Sequence, residues 1–257
     1  MEKAVNLLWT SGWDSTYRLL ELLLVHERPV QPYYLFDRSR KSYELEVKAM
    51  EHIKSLLLKK SPQVASLLRP TIYQEVSEIK PNARISAQFQ EVLKLKRNGT
   101  QYEWLARYAD EIGVDDLELC VDMVTPGFFS TYIKPNLLKE FDGKGYNYRL
   151  RDNPENPVLT MYRYFRFPVQ EYTKVDLQRM SVEHGFIDIM EHTWFCHTPI
   201  NGQPCGLCVP CKVTMEHGMR RRIPFTSQVR NFVHYQVKPP LRKLLGRNQP
   251  KAATPAV

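Results

Sequence analysis

Four cysteines fall within sixteen residues, in the order Cys196-x8-Cys205-Gly-Leu-Cys208-Val-Pro-Cys211. Two residues between successive cysteines let both sulfurs reach one ion at about 2.3 Å, and four soft anionic ligands suit structural zinc. Gly206 fits a turn whose backbone amides point back at the sulfurs and which a side chain would obstruct. The competing reading is a disulfide framework. The opening stretch MEKAVNLLWT does not read as a secretory signal, and Cys120 is the one cysteine outside the cluster. A tetrahedral zinc site on Cys196, Cys205, Cys208 and Cys211 is therefore expected, in a soluble cytoplasmic protein.

A second stretch has the residue types for anion binding: Thr10-Ser11-Gly12-Trp13-Asp14-Ser15-Thr16. Small and hydroxyl residues between a strand and a helix leave backbone amides free to converge on a phosphate. The helix dipole and the Ser15 and Thr16 hydroxyls add to the attraction. The loop lacks the Gly-Lys-Ser/Thr ending of a Walker loop and is not a Gly-x-Gly-x-x-Gly turn. Taken alone it reads equally well as a plain N-cap through Asp14 and Ser15.

Elements that would position these residues alternate along the chain. Val5–Trp9 reads as a buried strand, Ser15–His26 as a helix, Val30–Phe36 as a second strand ending at Asp37. The stretch 42–60 is helical, with Leu45, Ala49, Ile53 and Leu56 on one face, and Thr71–Val76 is a third strand. Helices are expected over 86–96 and 100–112, and a fourth strand over 116–121 with Cys120 as a small buried core residue. The stretch from Pro126 to Pro157 reads as a loop-rich excursion. Tyr162–Phe167 reads as a fifth strand whose aromatics pack in the core, and a helix over 174–184 ends at Gly185. The last cysteines open a helix running to Gly218. This order argues an α/β fold with a parallel, doubly wound sheet, helices on both faces and ligands at the carboxyl ends of the strands. Domain boundaries are expected near 1–190 for the α/β domain, 191–219 for a zinc segment packed on it, and 220–257 for a basic arm or tail.

The 257 residues are 43% hydrophobic, enough for a packed core, and no apolar run is long enough to span a bilayer. The net charge of +8 is concentrated late, in Arg220–Arg222, Arg230, Lys238, Arg242, Lys243, Arg247 and Lys251. A solvated face is favoured over a nucleic-acid surface there, because no interleaved aromatic platform accompanies the charges. His192 and His197 beside Cys196 are expected near the metal or at the surface rather than as ligands, and His217 at a helix end. The pairs Asp115–Asp116 and Glu44–Glu46 read as a turn and a solvated helix.

The loop resembles the pyrophosphate loop of the N-type ATP pyrophosphatases, Ser-Gly-Gly-x-Asp-Ser followed by Ser or Thr. Combined with the cysteine spacing, the pattern is similar to the 7-cyano-7-deazaguanine synthase family. Three further stretches agree in order: Phe36-Asp37 with Arg38, Arg40, Lys41, Glu44 and Glu46; Thr173-Lys174-Val175-Asp176 before its helix; and Thr193-Trp194-Phe195-Cys196. Together they cover most of residues 1–218.

The resemblance implies a Rossmann-like sheet of the adenine nucleotide alpha hydrolase kind and an ATP- and magnesium-dependent ligase. Such an enzyme transfers AMP to a carboxylate, releases pyrophosphate, lets ammonia or another amine displace AMP, and in this family dehydrates the amide to a nitrile. It places Thr10, Ser11, Gly12, Trp13, Asp14, Ser15, Thr16 and Asp37 at nucleotide-binding positions. Asp14 would also orient magnesium, and Asp14, Ser15 and Lys174 would serve catalysis, Lys174 by offsetting phosphate charge. A deazapurine acid such as 7-carboxy-7-deazaguanine, or a related acid, is the implied substrate, and relatives commonly pair as homodimers. The chain departs from the pattern. Thr10 and Ser11 stand for its first Ser and first Gly, Lys96-Arg97-Asn98-Gly99-Thr100 replaces a Pro-x-Arg-Asn run, and residues 127–156 differ from the expected nucleobase pocket. A non-catalytic nucleotide sensor and a tRNA-modifying adenylating enzyme are the alternatives these departures keep open.

Overall fold

The computed structural model describes residues 2–121 and 127–237. The basic positions Lys238, Arg242, Lys243, Arg247 and Lys251, and Pro126 at the start of the expected excursion, lie outside them. The chain divides into two compact units. One comprises the residues up to Arg38 together with Glu46–Trp194; the other comprises Ser39–Leu45 and the chain from Phe195 onward.

The first unit is α/β. In chain order it carries β1 (Val5–Leu8), α1 (Trp13–Leu20), β2 (Val30–Phe36), α2 (Tyr43–Lys60, whose first turn belongs to the other unit), β3 (Ile72–Glu75), α3 (Ala83–Leu95), α4 (Gln101–Glu111), β4 (Leu117–Glu118), β5 (Leu137–Phe141), β6 (Tyr146–Leu150), β7 (Phe165–Arg166), α5 (Lys174–Glu183) and α6 (Ile187–Met190). Its seven-stranded sheet has the order β3-β2-β1-β4-β7-β6-β5. The first five are parallel to one another, and β6 and β5 add an antiparallel edge. Strand order reverses at β1, whose neighbours are β2 and β4. Crevices outside the carboxyl ends of strands at such a point are where ligands bind in open α/β sheets.

Strand alternation sorts the core. Tyr33, Leu35, Leu117, Leu119, Phe165 and Phe167 join one buried cluster with Ile85, Phe89 and Val92 of α3 and Leu105, Ala106 and Tyr108 of α4. Period-two geometry sends Glu118 to the opposite face. There it meets Arg18 of α1: Nε and Nη2 donate to the two carboxylate oxygens at 2.8 and 2.7 Å. Arg18 Nη1 donates to Glu21 at 2.8 Å, Tyr17 to the other Glu21 oxygen, and Asn147 to Glu118 at 2.6 Å. Burial alone would lower the Arg18 pKa, but Glu118 and then Glu21 outweigh it and hold the guanidinium charged. Among described residues, no helix is long and apolar enough to cross a membrane.

Several expectations need correction. The sheet is mostly rather than wholly parallel, because residues 137–150 form a β-hairpin instead of loop. Its turn is made by Asp142, whose carboxylate accepts the Lys144 and Gly145 amides, with Gly143 at φ +88°. β5 is largely exposed and carries no alternation, while in β6 only Tyr148 and Leu150 turn into the core, too short a pattern to set against the glycines and prolines around it. The expected fifth strand is confined to Phe165–Arg166, since Pro157 opens a 3-10 helix over Pro157–Tyr164 that Asn156 caps. Tyr162, Tyr164, Phe165 and Phe167 are nevertheless all core residues. Cys120 lies just past β4 and is only half-buried. The buried face of α2 is Met50, Ile53 and Leu57, keeping Ile53 but otherwise one residue on from that expected.

Removing one partner of a buried ion pair leaves an uncompensated charge. Glu118→Ala should therefore lose about 3–5 kcal/mol in urea unfolding, whereas the double change Arg18→Met with Glu118→Leu should recover most of it. Equal losses in single and double variants would show that the pair contributes no more than packing.

Candidate functional site

In the first unit, β1 runs into α1 through Trp9–Gly12. Ser11 sits at φ +55°, a left-handed conformation unusual for a residue with a Cβ. It is fully buried, and its hydroxyl has no hydrogen-bond partner. Strain of this kind costs on the order of 1 kcal/mol or more, and an unsatisfied buried hydroxyl about 1–3 kcal/mol. Two unfavourable terms at one residue mark a loop not shaped by stability alone. The turn is fixed around Ser11: its carbonyl accepts the Trp194 amide at 2.9 Å, and Thr10 N–H donates to Ser15 Oγ at 3.3 Å. Gly12 is the N-cap of α1 and no side chain caps it. The first four N–H groups of a helix have no partner within it, so this terminus suits an anion.

Lys174 enters from 160 residues away in the sequence, and its Nζ donates to both Asp14 oxygens at 2.7 Å. Lys174 is the first residue of α5, a position that the helix dipole makes unfavourable for a cation. A capping box fixes that helix start, with Thr173 Oγ1 accepting the Asp176 amide and Asp176 accepting the Thr173 amide. The first turns of α1 and α5 thus converge on one ion pair.

The remaining sequence-derived positions divide. Thr10, Gly12, Asp14 and Ser15 stand together on the turn. Asp37 follows β2, the parallel neighbour of β1, at the same sheet edge. Thr16 turns inward instead: it is fully buried, and its hydroxyl accepts Trp9 Nε1 at 3.0 Å. Trp13 is also buried, as core. Two contributions escaped the sequence reading, in which Trp194 figured only in the approach to Cys196. Trp194 holds the Ser11 carbonyl through its amide, which no residue type signals. Gln170, in the loop between β7 and Lys174, is 3% exposed with its amide oxygen unpartnered.

The second unit gathers the four cysteines. Their sulfurs lie within 4.8 Å of one another, a group that can hold a metal ion such as zinc. Sulfurs at the corners of a tetrahedron with 2.3 Å bonds stand about 3.8 Å apart. Cys205–Cys211 and Cys196–Cys208 are each separated by 3.9 Å. The amides of Leu207 and Cys208 and the Thr198 hydroxyl donate to the Cys205 sulfur, and the Cys205 amide to the Cys196 sulfur. Such donors orient and stabilise thiolates. Hydrogen bonds from Cys196 and then Cys211 hold the Cys208 thiol far below its ordinary value. Cys208 in turn pushes Cys196 up to about 12, and Cys196 and Cys208 raise Cys211. A cation among the four sulfurs would let all of them ionise together.

The cysteine turn requires its glycine. Gly206 has φ +79°, and a Cβ there would lie 2.3 Å from the Ser227 carbonyl oxygen. Cys208 stands at the N-cap position of α7 (Val209–Glu216), and His217 ends that helix. His197 is exposed beside the cluster, and His192, in the first unit, stacks edge-on against His52.

Cys208→Ser should abolish zinc retention measured by elemental analysis and lower the melting temperature; full metal content would exclude the cluster as the site. Wild-type zinc should also leave on acidification, because protons compete for thiolates. Ser11→Ala should leave the nucleotide-free protein as stable as wild type or slightly more so, since it removes an unsatisfied hydroxyl. A clear loss of stability would mean that hydroxyl has a partner.

No family model matches this chain, and no curated protein matches it in sequence.

Proposed function

We propose that the protein is an ATP-dependent, AMP-forming ligase that activates a carboxylate for attack by ammonia or another amine. The observation that carries this reading is the Asp14–Lys174 contact, which joins the first turns of two helices at the carboxyl edge of a sheet whose order reverses there. That arrangement also supports a Rossmann-like, nucleotide-binding assignment for residues 1–190.

On this reading the uncapped start of α1 and the Ser11 hydroxyl receive the phosphates. Ser15 holds the turn that presents them. Lys174 leaves Asp14 to balance negative charge on the departing pyrophosphate, an electrostatic contribution made in a partly buried setting. Magnesium would be held by Asp14 and would neutralise phosphate charge. The substrate carboxylate oxygen bonds to the α-phosphorus as the bond to the bridging oxygen of the β-phosphate breaks. The amine nitrogen then bonds to the acyl carbon and loses a proton as AMP departs. Zinc has a structural role, since four protein ligands leave no open position for substrate.

Release of pyrophosphate and AMP from ATP and magnesium, with 7-carboxy-7-deazaguanine and ammonium, is the test. Asp14→Asn and Lys174→Ala should each lower turnover by at least about a hundredfold without changing zinc content. Turnover dependent on ATP but indifferent to that acid would keep the ligase and exclude the nucleobase. Absence of ATP binding would replace the ligase with an interaction protein.

A further inference from the structure

In the second unit, α8 (Phe225–Phe232) is continued by a π-helical turn over Val233–Val237. Its amphipathicity is inverted. A surface helix ordinarily turns its apolar stripe inward and its polar face to water. Here the inward contacts are polar and bind the cysteine loop. Arg230 donates to the Cys205 carbonyl at 2.7 Å, Asn231 to the Gly206 carbonyl at 2.7 Å, and Tyr235 to the Leu207 carbonyl at 3.1 Å. Ser227, buried, faces the Gly206 α-carbon. The opposite face carries Phe225, Val229, Phe232 and Val233 at i, i+4, i+7 and i+8, exposed by 77%, 43%, 57% and 37%. That spacing makes one continuous apolar strip along a helix whose polar side is already used.

The composition of the segment that carries it is one-sided in charge. Residues 217–257 contain nine lysines and arginines and no aspartate or glutamate, against a net charge of +8 for the entire chain. The remainder of the protein is therefore close to neutral, and the whole excess belongs to the segment that bears the strip.

We propose that α8 is a docking face for an anionic lipid surface, with the apolar strip lying in the interface and the net positive charge of the segment that carries it supplying the attraction to lipid headgroups. Apolar insertion plus polybasic attraction is the combination that holds peripheral proteins on membranes. A second copy of the chain fits less well, because a two-fold contact through α8 would bring two strongly basic segments together. Nucleic acid also fits less well. Val229 and Val233 offer no ring for a base, and Arg230 is turned from the strip to the Cys205 carbonyl. Because the polar face of α8 grips the cysteine loop, the cluster sets the presentation of the strip.

The experiment is sedimentation of the zinc-loaded full chain with vesicles of phosphatidylcholine alone and of equal parts phosphatidylcholine and phosphatidylglycerol. Binding should be at least about tenfold stronger to the anionic vesicles and weaken with salt. Phe225→Ser with Phe232→Ser should reduce it at least about tenfold, with zinc content and ATP affinity unchanged. No binding to anionic vesicles at low salt would overturn the proposal. So would equal binding by the double variant, which would show attraction by charge alone. A wild-type dimer in ultracentrifugation that the double variant loses would reassign the strip to self-association. Retention on RNA with the same dependence on Phe225 and Phe232 would reassign it to nucleic acid.

Discussion

The buried pair between Arg18 and Glu118 is the constraint on which the first unit depends. Glu118 has one place to go: its strand neighbours Leu117 and Leu119 occupy the apolar face, so period-two geometry puts its carboxylate on the other. A lone carboxylate there would be prohibitively unfavourable, and Arg18 answers it with two hydrogen bonds while Glu21 takes a third. That match fixes both the rotation and the axial position of α1 against the central strand. Asp14 lies one helical turn before Arg18, so fixing the helix also fixes the acidic partner of Lys174. A stability device and the candidate site are thereby on the same two turns of helix.

The second unit is held differently. Its cysteine loop has few apolar side chains to bury, and its geometry rests on four converging sulfurs, amide donors aimed at them, and a glycine at which a Cβ would strike the Ser227 carbonyl. A metal ion on the cysteines would supply such a segment with folding free energy. The same economy explains α8. With its polar face committed to the carbonyls of the cysteine loop, its apolar side chains have no interior to enter.

The α/β alternation was legible because strands buried on both faces read as short apolar runs and helices as longer periodic ones; β2 and α5 fall almost where expected. The hairpin at 137–150 was not, although Asp142-Gly143 is a turn signal: β5 is largely exposed and leaves no pattern, and β6 commits only Tyr148 and Leu150 to the core. The 3-10 segment before β7 hid because its aromatics pack as densely as a strand's would. At the site, residue types in the loop and the spacing of the cysteines were readable from sequence. The partnership of Asp14 with Lys174 needed the fold, as did the inward turn of Thr16. The cost concentrated at Ser11 was visible in sequence only as a Cβ in place of glycine; its φ and its orphan hydroxyl are properties of the folded loop.

A loop that keeps a strained backbone and an unused buried hydroxyl beside an ion pair is arranged for something other than its own stability. The most direct measurement is a crystal structure of the protein with magnesium and a non-hydrolysable ATP analogue. The account expects the triphosphate at the start of α1, the Ser11 hydroxyl bonded to a phosphate oxygen, and Lys174 moved from Asp14 to the phosphates. An analogue bound elsewhere, or the Asp14–Lys174 pair intact beneath an empty loop at saturating analogue, would contradict it.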